Sequence, residues 1–559
     1  MQTTTIGGYL AARLTQVGLG DYFAVPGDFN LILLDEFLKE PGLRMVSCCN
    51  ELNAGYAADG YARLHGFAAV AVTYMVGGTS LINATAGAYS EDLPLLVISG
   101  GPNTNDTKLG HVIHHTIGEV PFNQSEKCFA PVVAGTFIVN RVEEAAALID
   151  RALLRAFQAK KPVYLEIACN LANQLISVPT PMEWPPTPQA SDPLALAAAV
   201  QAIQRRLGEA VKPVLVVGVK ARAVAQGKGL VHLADQLGCA VAVMPNAKGL
   251  YPELHPAFMG TYWGTVSSPH CQAVVESSDC QIFLGPTFND YSTVGWSAVI
   301  KTGQGILVDP EKVTVGGTVF NGVILSDLVA ALVAMPMLAC PFSLKEFNRI
   351  NRPTVEEVPV VSDDALQLFQ LRHQIQGMLD SSTELVVETG DSWFNGQLMD
   401  LPEGCGYHFQ MQYGSIGWAT PASLGLAMAA GPTRRILTLT GDGSLQMTAQ
   451  EVSTMIRYQQ RIIIFVLNNR GYTIEVEIHD GPYNNIQNWN YAALMEVFST
   501  EQSRGLGLKA RTSRELEGAI DQARSFAGPV LIECVLDRDD CSQELLAWGS
   551  AVAQANGRL

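Results

Sequence analysis

Three times along the chain, short apolar runs rich in β-branched residues alternate with longer stretches whose apolar positions recur every three or four residues. In the first part AAVAVTY and LPLLVISG flank the small-residue helical stretch GGTSLINATAGAYSE. KPVLVVG and CAVAVMP repeat the arrangement in the middle, and RRILTLTG and RIIIFVLNN repeat it near the end. Short buried strands joined by crossover helices predict an α/β chain of three doubly wound parallel-sheet domains. Ligands of such sheets sit at the carboxyl ends of the strands. The opening MQTTTIGGYLAARLTQVGL predicts a helix with Ile6, Leu10, Leu14 and Val17 on one face, and not a signal peptide, because no basic segment precedes an apolar run.

Two segments interrupt the pattern. Ser177 to Pro193 holds six prolines, which deny it a helix or a central strand. Cys340 to Pro359 is punctuated more weakly and is also read as a linker. The expected domains are 1–188, 189–345 and 355–559. At 559 residues the chain is too long for a single core. It is 48% hydrophobic and 16% charged, a composition suited to an ordered chain with surface covered in an oligomer. A net charge of −17 argues against nucleic acid and anionic membranes as partners. No run reaches the roughly 18 apolar residues of a membrane span. Eleven scattered cysteines, without a C-x-x-C, fit reduced thiols in a cytoplasmic protein.

The third part carries the clearest chemistry. The strand RRILTLT runs into GDGS, Gly441 to Ser444, which opens the helical stretch LQMTAQEVSTMIRYQ; the next strand ends in Asn468-Asn469. If those strands are neighbours, Asp442 and Asn469 project from adjacent carboxyl ends. A carboxylate and an amide oxygen form a hard-cation site, and magnesium held by so few protein oxygens takes further ligands from phosphates and water. This predicts magnesium with a diphosphate.

A second concentration is GHVIHHTIG, Gly110 to Gly118, with His111, His114 and His115. Adjacent side chains diverge on a strand or a helix, so His114 and His115 meet one ligand only from a loop or a helix start. On this stretch alone solvated loop histidines, a metal pair at His111 and His115, and proton transfer near neutral pH all remain open.

GDG followed by NN after some two dozen residues resembles the thiamine-diphosphate motif. VPGDFNL, CCNELNAGYAADGYAR, GHVIHHTIG, FNDYST, ETGDSWFN and GYTIEVEIHDGPYNNIQNW extend the likeness over nearly the whole chain. Together they resemble the thiamine-diphosphate-dependent 2-oxo-acid decarboxylases, most closely those acting on pyruvate. The resemblance implies a pyrimidine-binding first domain and a diphosphate- and magnesium-binding third domain. It implies Asp442, Asn469 and the Gly471 carbonyl as magnesium ligands. Glu51 matches the glutamate that hydrogen-bonds the pyrimidine ring, and Ile416 the bulky residue that folds the cofactor. The Gly414 carbonyl matches the acceptor for the pyrimidine amine. Val25, Pro26, Thr73, Thr389, Asp391, Gly443, Ser444, Tyr472 and Thr473 are the remaining implied cofactor contacts. Tyr413 and Ser415 depart from the tryptophan and histidine common in bacterial members.

The same resemblance joins His114 and His115 with Asp28 and Glu475 as the proton-transfer group that releases aldehyde. It implies a substrate pocket of Tyr291, Thr389, Trp393, Ile474 and Ile478. The expected reaction is non-oxidative decarboxylation of pyruvate to acetaldehyde and carbon dioxide. Indolepyruvate or phenylpyruvate is the rival substrate. Acetolactate synthesis, or a structural relative without cofactor, would be a different reading of the same chain. The resemblance further implies a homodimer with shared sites, paired into a homotetramer. The middle domain lacks G-x-G-x-x-G and is expected to be structural or regulatory.

Overall fold

A computed structural model describes the chain apart from residues 1, 121, 185, 187, 188, 226, 227, 337, 338, 352–357, 558 and 559. Among the described residues three large sheets form in sequence order, and a two-stranded antiparallel pairing joins Thr3–Thr5 to Leu175–Ser177. The first runs Arg44–Ser47, Asp21–Ala24, Ala68–Val72, Leu95–Gly101, Pro162–Ala168, Thr136–Val139, with every pairing parallel. The last runs Gly406–His408, Thr383–Val387, Arg435–Gly441, Ile462–Asn468, Val530–Val535, Leu506–Ala510, also all parallel. Numbered within each sheet by chain order, both follow 2-1-3-4-6-5, so the first and third units are copies of one topology.

The middle sheet corrects the expectation of a third purely parallel sheet. Phe258–Thr261, Ala240–Val243, Pro213–Val217, Cys280–Leu284 and Ile306–Asp309 are parallel, but Lys312–Val315 and Thr318–Asn321 add antiparallel. The cause is loop length, since a two-residue link cannot make a parallel crossover. Gly316 and Gly317, at φ +54° and +86°, supply the left-handed turn that a tight hairpin needs.

Two local expectations also change. The segment from Cys340 contains a helix, Phe342–Ile350, whose Phe347 is buried and whose Ser343 hydroxyl donates to Pro213 O at 2.6 Å. It therefore packs on the middle sheet; residues 352–357 of the expected linker lie outside the described residues. The helical stretch after GDGS is two helices, Asp442–Thr448 and Glu451–Arg457. The opening helix forms over Ile6–Gln16 with Ile6, Leu10 and Leu14 buried.

The first and third units share one core. Its centre is the crossing of the helices Glu51–His65 and Ala419–Ala430. A methyl group on Gly60 would overlap the backbone of Ala422, and one on Gly425 would overlap the backbone of Ala57, so glycine is what lets these helices touch backbone to backbone. Asn50 caps the first helix by accepting from the Asn53 N–H at 2.8 Å, which fixes Glu51 in its first turn. No helix among the described residues is long and apolar enough to cross a membrane.

Candidate active site

The strands Arg435–Gly441 and Ile462–Asn468 are parallel neighbours, with Gly441 opposite Leu467. Asp442 and Asn469 therefore leave adjacent carboxyl ends together. The Asp442 side chain is 1% exposed and accepts the N–H groups of Gly443 at 2.7 Å and Arg470 at 2.6 Å. Burial pushes its carboxyl up to about 6, with the backbone N–H groups of Gly443, Arg470 and Gly471 pulling the other way. No basic side chain pairs with it among the described residues. The Asn469 amide nitrogen donates to the Thr473 hydroxyl, leaving the amide oxygen as the atom available to a cation. A Cβ on Gly443 would overlap the Tyr472 ring, and one on Gly471 would lie 2.5 Å from Asn484 O. Ser444 and Thr473 are buried beside them. A desolvated carboxylate lacking a counter-ion, an uncommitted amide oxygen and tight glycine backbone fit magnesium and the phosphates it needs.

Val25 and Pro26 follow the strand Asp21–Ala24, and Thr73 follows Ala68–Val72, at the carboxyl edge of the first sheet. The Thr73 hydroxyl is buried without a hydrogen-bond partner, and a Cβ on Gly27 would come within 2.5 Å of the Thr73 side chain. A Cβ on Gly77 would stand 3.2 Å from Glu51 Oε1, which places the half-buried Glu51 at the same edge. An orphaned buried hydroxyl and close backbone again fit a bound polar group.

The histidine stretch is a loop. His115 has φ +59°, a left-handed conformation unusual for a residue with a Cβ. That reversal brings two adjacent imidazoles together: their ring centroids are 4.5 Å apart. His114 Nε2 lies 2.6 Å from Asp28 Oδ2, and His115 Nε2 lies 3.4 Å from Asp28 Oδ1. Phe29 stacks on His114 at 5.1 Å and meets His115 edge-on at 5.8 Å. His111 is apart from this cluster and pairs with Asp106 at 3.2 Å.

Gly414, at φ +64°, and Ile416 lie on the loop that enters the helix Ala419–Ala430. A Cβ on Gly414 would be 3.8 Å from the Tyr291 ring, so Tyr291 of the middle unit meets this loop directly. Thr389 follows the strand Thr383–Val387. Ile474 and Ile478 sit one turn apart on the helix Thr473–Ile478, Ile474 buried and Ile478 half-buried against the same core. Glu475 is half-buried on that helix, and its charge reaches Tyr291, whose hydroxyl is raised first by burial and then by Glu475.

Both carboxylate oxygens of Asp391 accept from Ser542, one from its hydroxyl and one from its N–H, so the side chain ties the start of the helix Asp391–Gln397 to the helix Gln543–Ala555. Trp393 is fully buried, 4.4 Å from both Trp263 and Phe409, and forms the layer behind Tyr291 instead of a pocket surface. The sequence reading missed Glu388, a buried carboxylate bonded to backbone on two loops, and Tyr56, whose hydroxyl meets Ser415. Glu388 ends an apolar strand as its only acid beyond Glu384, the one sign available beforehand.

Within the chain the helix that begins with Glu51 meets the Gly414–Ile416 loop through Tyr56 and Ser415. Among the described residues, no hydrogen bond or ion pair joins Glu51, Asp28, His114 or His115 to Asp442, Asn469, Gly414, Ile416 or Glu475.

Comparison with known families places both edges in context. Residues 4–126 match the thiamine pyrophosphate enzyme N-terminal TPP binding domain, 200–335 the central domain and 389–534 the C-terminal TPP binding domain. The chain is 49% identical over 564 residues to pyruvate decarboxylase 2 of Arabidopsis thaliana, covering 99% of this chain and 92% of that one. It is likewise 49% identical over 563 residues to pyruvate decarboxylase 3 of Oryza sativa subsp. indica, covering 99% and 95%. The chain belongs to the thiamine-diphosphate-dependent 2-oxo-acid decarboxylase family. Thiamine diphosphate, the TPP of the matched domains, and magnesium are the cofactors of this family, and the two edges described above fit them.

Proposed function

We propose that the chain decarboxylates pyruvate to acetaldehyde and carbon dioxide without oxidation. The observation that carries this reading is the Asp28–His114–His115 cluster, two imidazoles converging on one carboxylate. The relatives named pyruvate decarboxylase support the choice of substrate.

In this reading Asp442, Asn469 and the Gly471 carbonyl hold magnesium, with Gly443, Ser444, Tyr472 and Thr473 around the diphosphate. Glu51, Val25, Pro26, Thr73, Thr389, the Gly414 carbonyl and Ile416 hold the organic part. Bound there, thiamine diphosphate supplies a carbon nucleophile and a sink for the electrons released with carbon dioxide. Glu51 manages the proton at the pyrimidine ring. Tyr291, Ile474 and Ile478 confine the acid to a small methyl group and exclude water. Replacing the lost carboxylate requires delivery of a proton to carbon, and releasing the carbonyl product requires removal of one from oxygen. His114, His115, Asp28 and Glu475 supply the donors and acceptors as one coupled set.

Completion of the site requires a second copy. We assign the Glu51-bearing edge of one chain to the Asp442-bearing edge of its partner in a homodimer, with two dimers forming a tetramer. Exposed Leu109, Val112 and Ile117 around the histidine loop support such a contact. We propose domains at 1–188 and 355–559 with a middle domain that starts at 189 and runs past 345 to the end of the helix Phe342–Ile350, and we assign the protein to the cytoplasm.

Turnover of pyruvate, 2-oxobutanoate, phenylpyruvate and indolepyruvate, coupled to alcohol dehydrogenase, tests the reading. Pyruvate should give the highest kcat/KM. A preference for an aromatic acid, or acetolactate as the main product, overturns it.

A further inference from the structure

Glu388 follows the strand Thr383–Val387 and is fully buried. Its Oε1 accepts the N–H of Thr389 at 2.9 Å, and its Oε2 accepts the N–H of Ala419 at 2.9 Å. The Gly417 N–H also bonds to it. One carboxylate thus fastens two loops that are 30 residues apart in sequence, the Thr389 loop and the loop carrying Gly414 and Ile416. Desolvation raises its carboxyl to about 7, against these backbone N–H groups, and no basic side chain offsets the burial among the described residues. Burying an acid is costly unless it is hydrogen-bonded, and here the backbone donors of two loops supply the bonds.

The opposite side of the same loop has its own anchor. Tyr56, on the helix that begins with Glu51, shares a hydrogen bond with the Ser415 hydroxyl. Asn83 donates to Tyr56 Oη at 2.9 Å and to Ser415 Oγ at 3.2 Å. The Ser415 N–H donates to Gln410 Oε1 at 3.0 Å. Gly414 and Gly417 both have left-handed φ, +64° and +91°, so the segment between them has no regular backbone pattern to hold its shape. Side chains must do so.

We infer that Glu388 and Tyr56 are positioning residues that hold the Gly414–Gly417 loop in its cofactor-receiving conformation, Glu388 from the sheet and Tyr56 from the first unit. The inference rests on the assignment of Gly414 and Ile416 to the cofactor. Three N–H donors converge on Glu388, and glutamine offers only one acceptor oxygen; its amide would face a backbone N–H donor to donor.

The test compares wild type, Glu388→Gln and Tyr56→Phe as full-length proteins. Wild type is first stripped of cofactor, and hydrogen exchange of peptides covering 410–420 is followed by mass spectrometry with and without thiamine diphosphate and magnesium. Slower exchange on binding supports the cofactor assignment; no change there removes that assignment, whatever the variants do. With protection established, Glu388→Gln should weaken cofactor binding by about tenfold, the range for hydrogen bonds to a charged group. Tyr56→Phe keeps the buried ring and should weaken binding by about threefold, the range for a neutral bond. Both should speed exchange in 410–420 while the pyruvate KM at saturating cofactor stays near wild type. Should Glu388→Gln not fold, Tyr56→Phe decides by the same readouts. Wild-type cofactor affinity and wild-type exchange in the folded variants overturn the inference.

Discussion

His114 Nε2 stands 2.6 Å from the Asp28 carboxylate, yet the two side chains are 63% and 49% exposed in the single chain. A polar contact so open to water is weak, because solvent screens it. A proton-transfer group works better in a closed, water-poor site. The exposure is what an edge awaiting a second copy would show.

Mixed dimers test this directly. Glu51→Gln and Asp442→Ala homodimers should each be nearly inactive. Random mixing through mild dissociation makes half the dimers mixed, each with one intact site, so about a quarter of wild-type activity should return. Absence of recovery, with mixing verified by mass spectrometry of tagged subunits, would place both edges of each site in one chain.

Cofactor removal gives a second test. Asp442 and Asn469 provide too few ligands to retain magnesium once the diphosphate has left. Chelation at mildly alkaline pH should release metal and thiamine diphosphate in equal amounts, measured by metal analysis and chromatography of the filtrate. Activity should return with both together and not with either one. Retention of stoichiometric thiamine diphosphate by metal-free protein would contradict the assigned ligands.

Local pattern determines what a sequence discloses about this site. Asp442 and Asn469 are legible because a strand-helix-strand alternation places successive carboxyl ends side by side. The Gly316-Gly317 pair likewise marks the hairpin that an all-parallel expectation passes over. The convergence of His114 and His115 is not legible, because it depends on one left-handed φ at His115. The fates of Asp391 and Trp393 are hidden for another reason: Ser542 lies 151 residues from Asp391, and Trp263 is comparably remote from Trp393. The helix Phe342–Ile350 is masked by the prolines that flank it.

The first unit also contains an acid that should make stability depend on pH. Glu166 is buried in the strand Pro162–Ala168 and accepts from the Tyr164 hydroxyl at 2.6 Å; that hydroxyl also meets Ser125 Oγ at 2.8 Å. Burial pushes its carboxyl up to about 8, against the Tyr164 hydrogen bond, while Glu126 adds a smaller upward push. The folded chain therefore keeps a proton that the unfolded chain gives up in the ordinary carboxylate range. Folding stability from this group is complete at acid pH and is lost as pH rises toward about 8. Glu166→Gln mimics the protonated form. Its melting temperature relative to wild type should climb by several degrees between pH 5 and pH 8 and then level off, on the order of what a few kcal/mol does in a domain of this size. A difference that stays flat across that range would show that Glu166 is ionised in the fold.

Substrate size should be set by the helix Thr473–Ile478. Ile474 is buried, whereas Ile478 is half-buried, which makes Ile478 the side chain with room to face a ligand. Ile478→Ala removes three carbons. In a packed wall such a change costs roughly 2 to 5 kcal/mol, and less at a half-buried position, so the oligomer should survive and can be checked by its melting curve. Pyruvate loses contacts and gains nothing, so its kcat/KM should fall about tenfold, equivalent to about 1.4 kcal/mol. A larger acid gains space, so the phenylpyruvate-to-pyruvate ratio of kcat/KM should rise by at least about tenfold, in line with the worth of one or two methylenes in an apolar pocket. The measurement is kcat/KM for pyruvate, 2-oxobutanoate and phenylpyruvate in both proteins. An unchanged ratio in a folded variant would make Ile478 part of the core packing and move the pocket wall elsewhere.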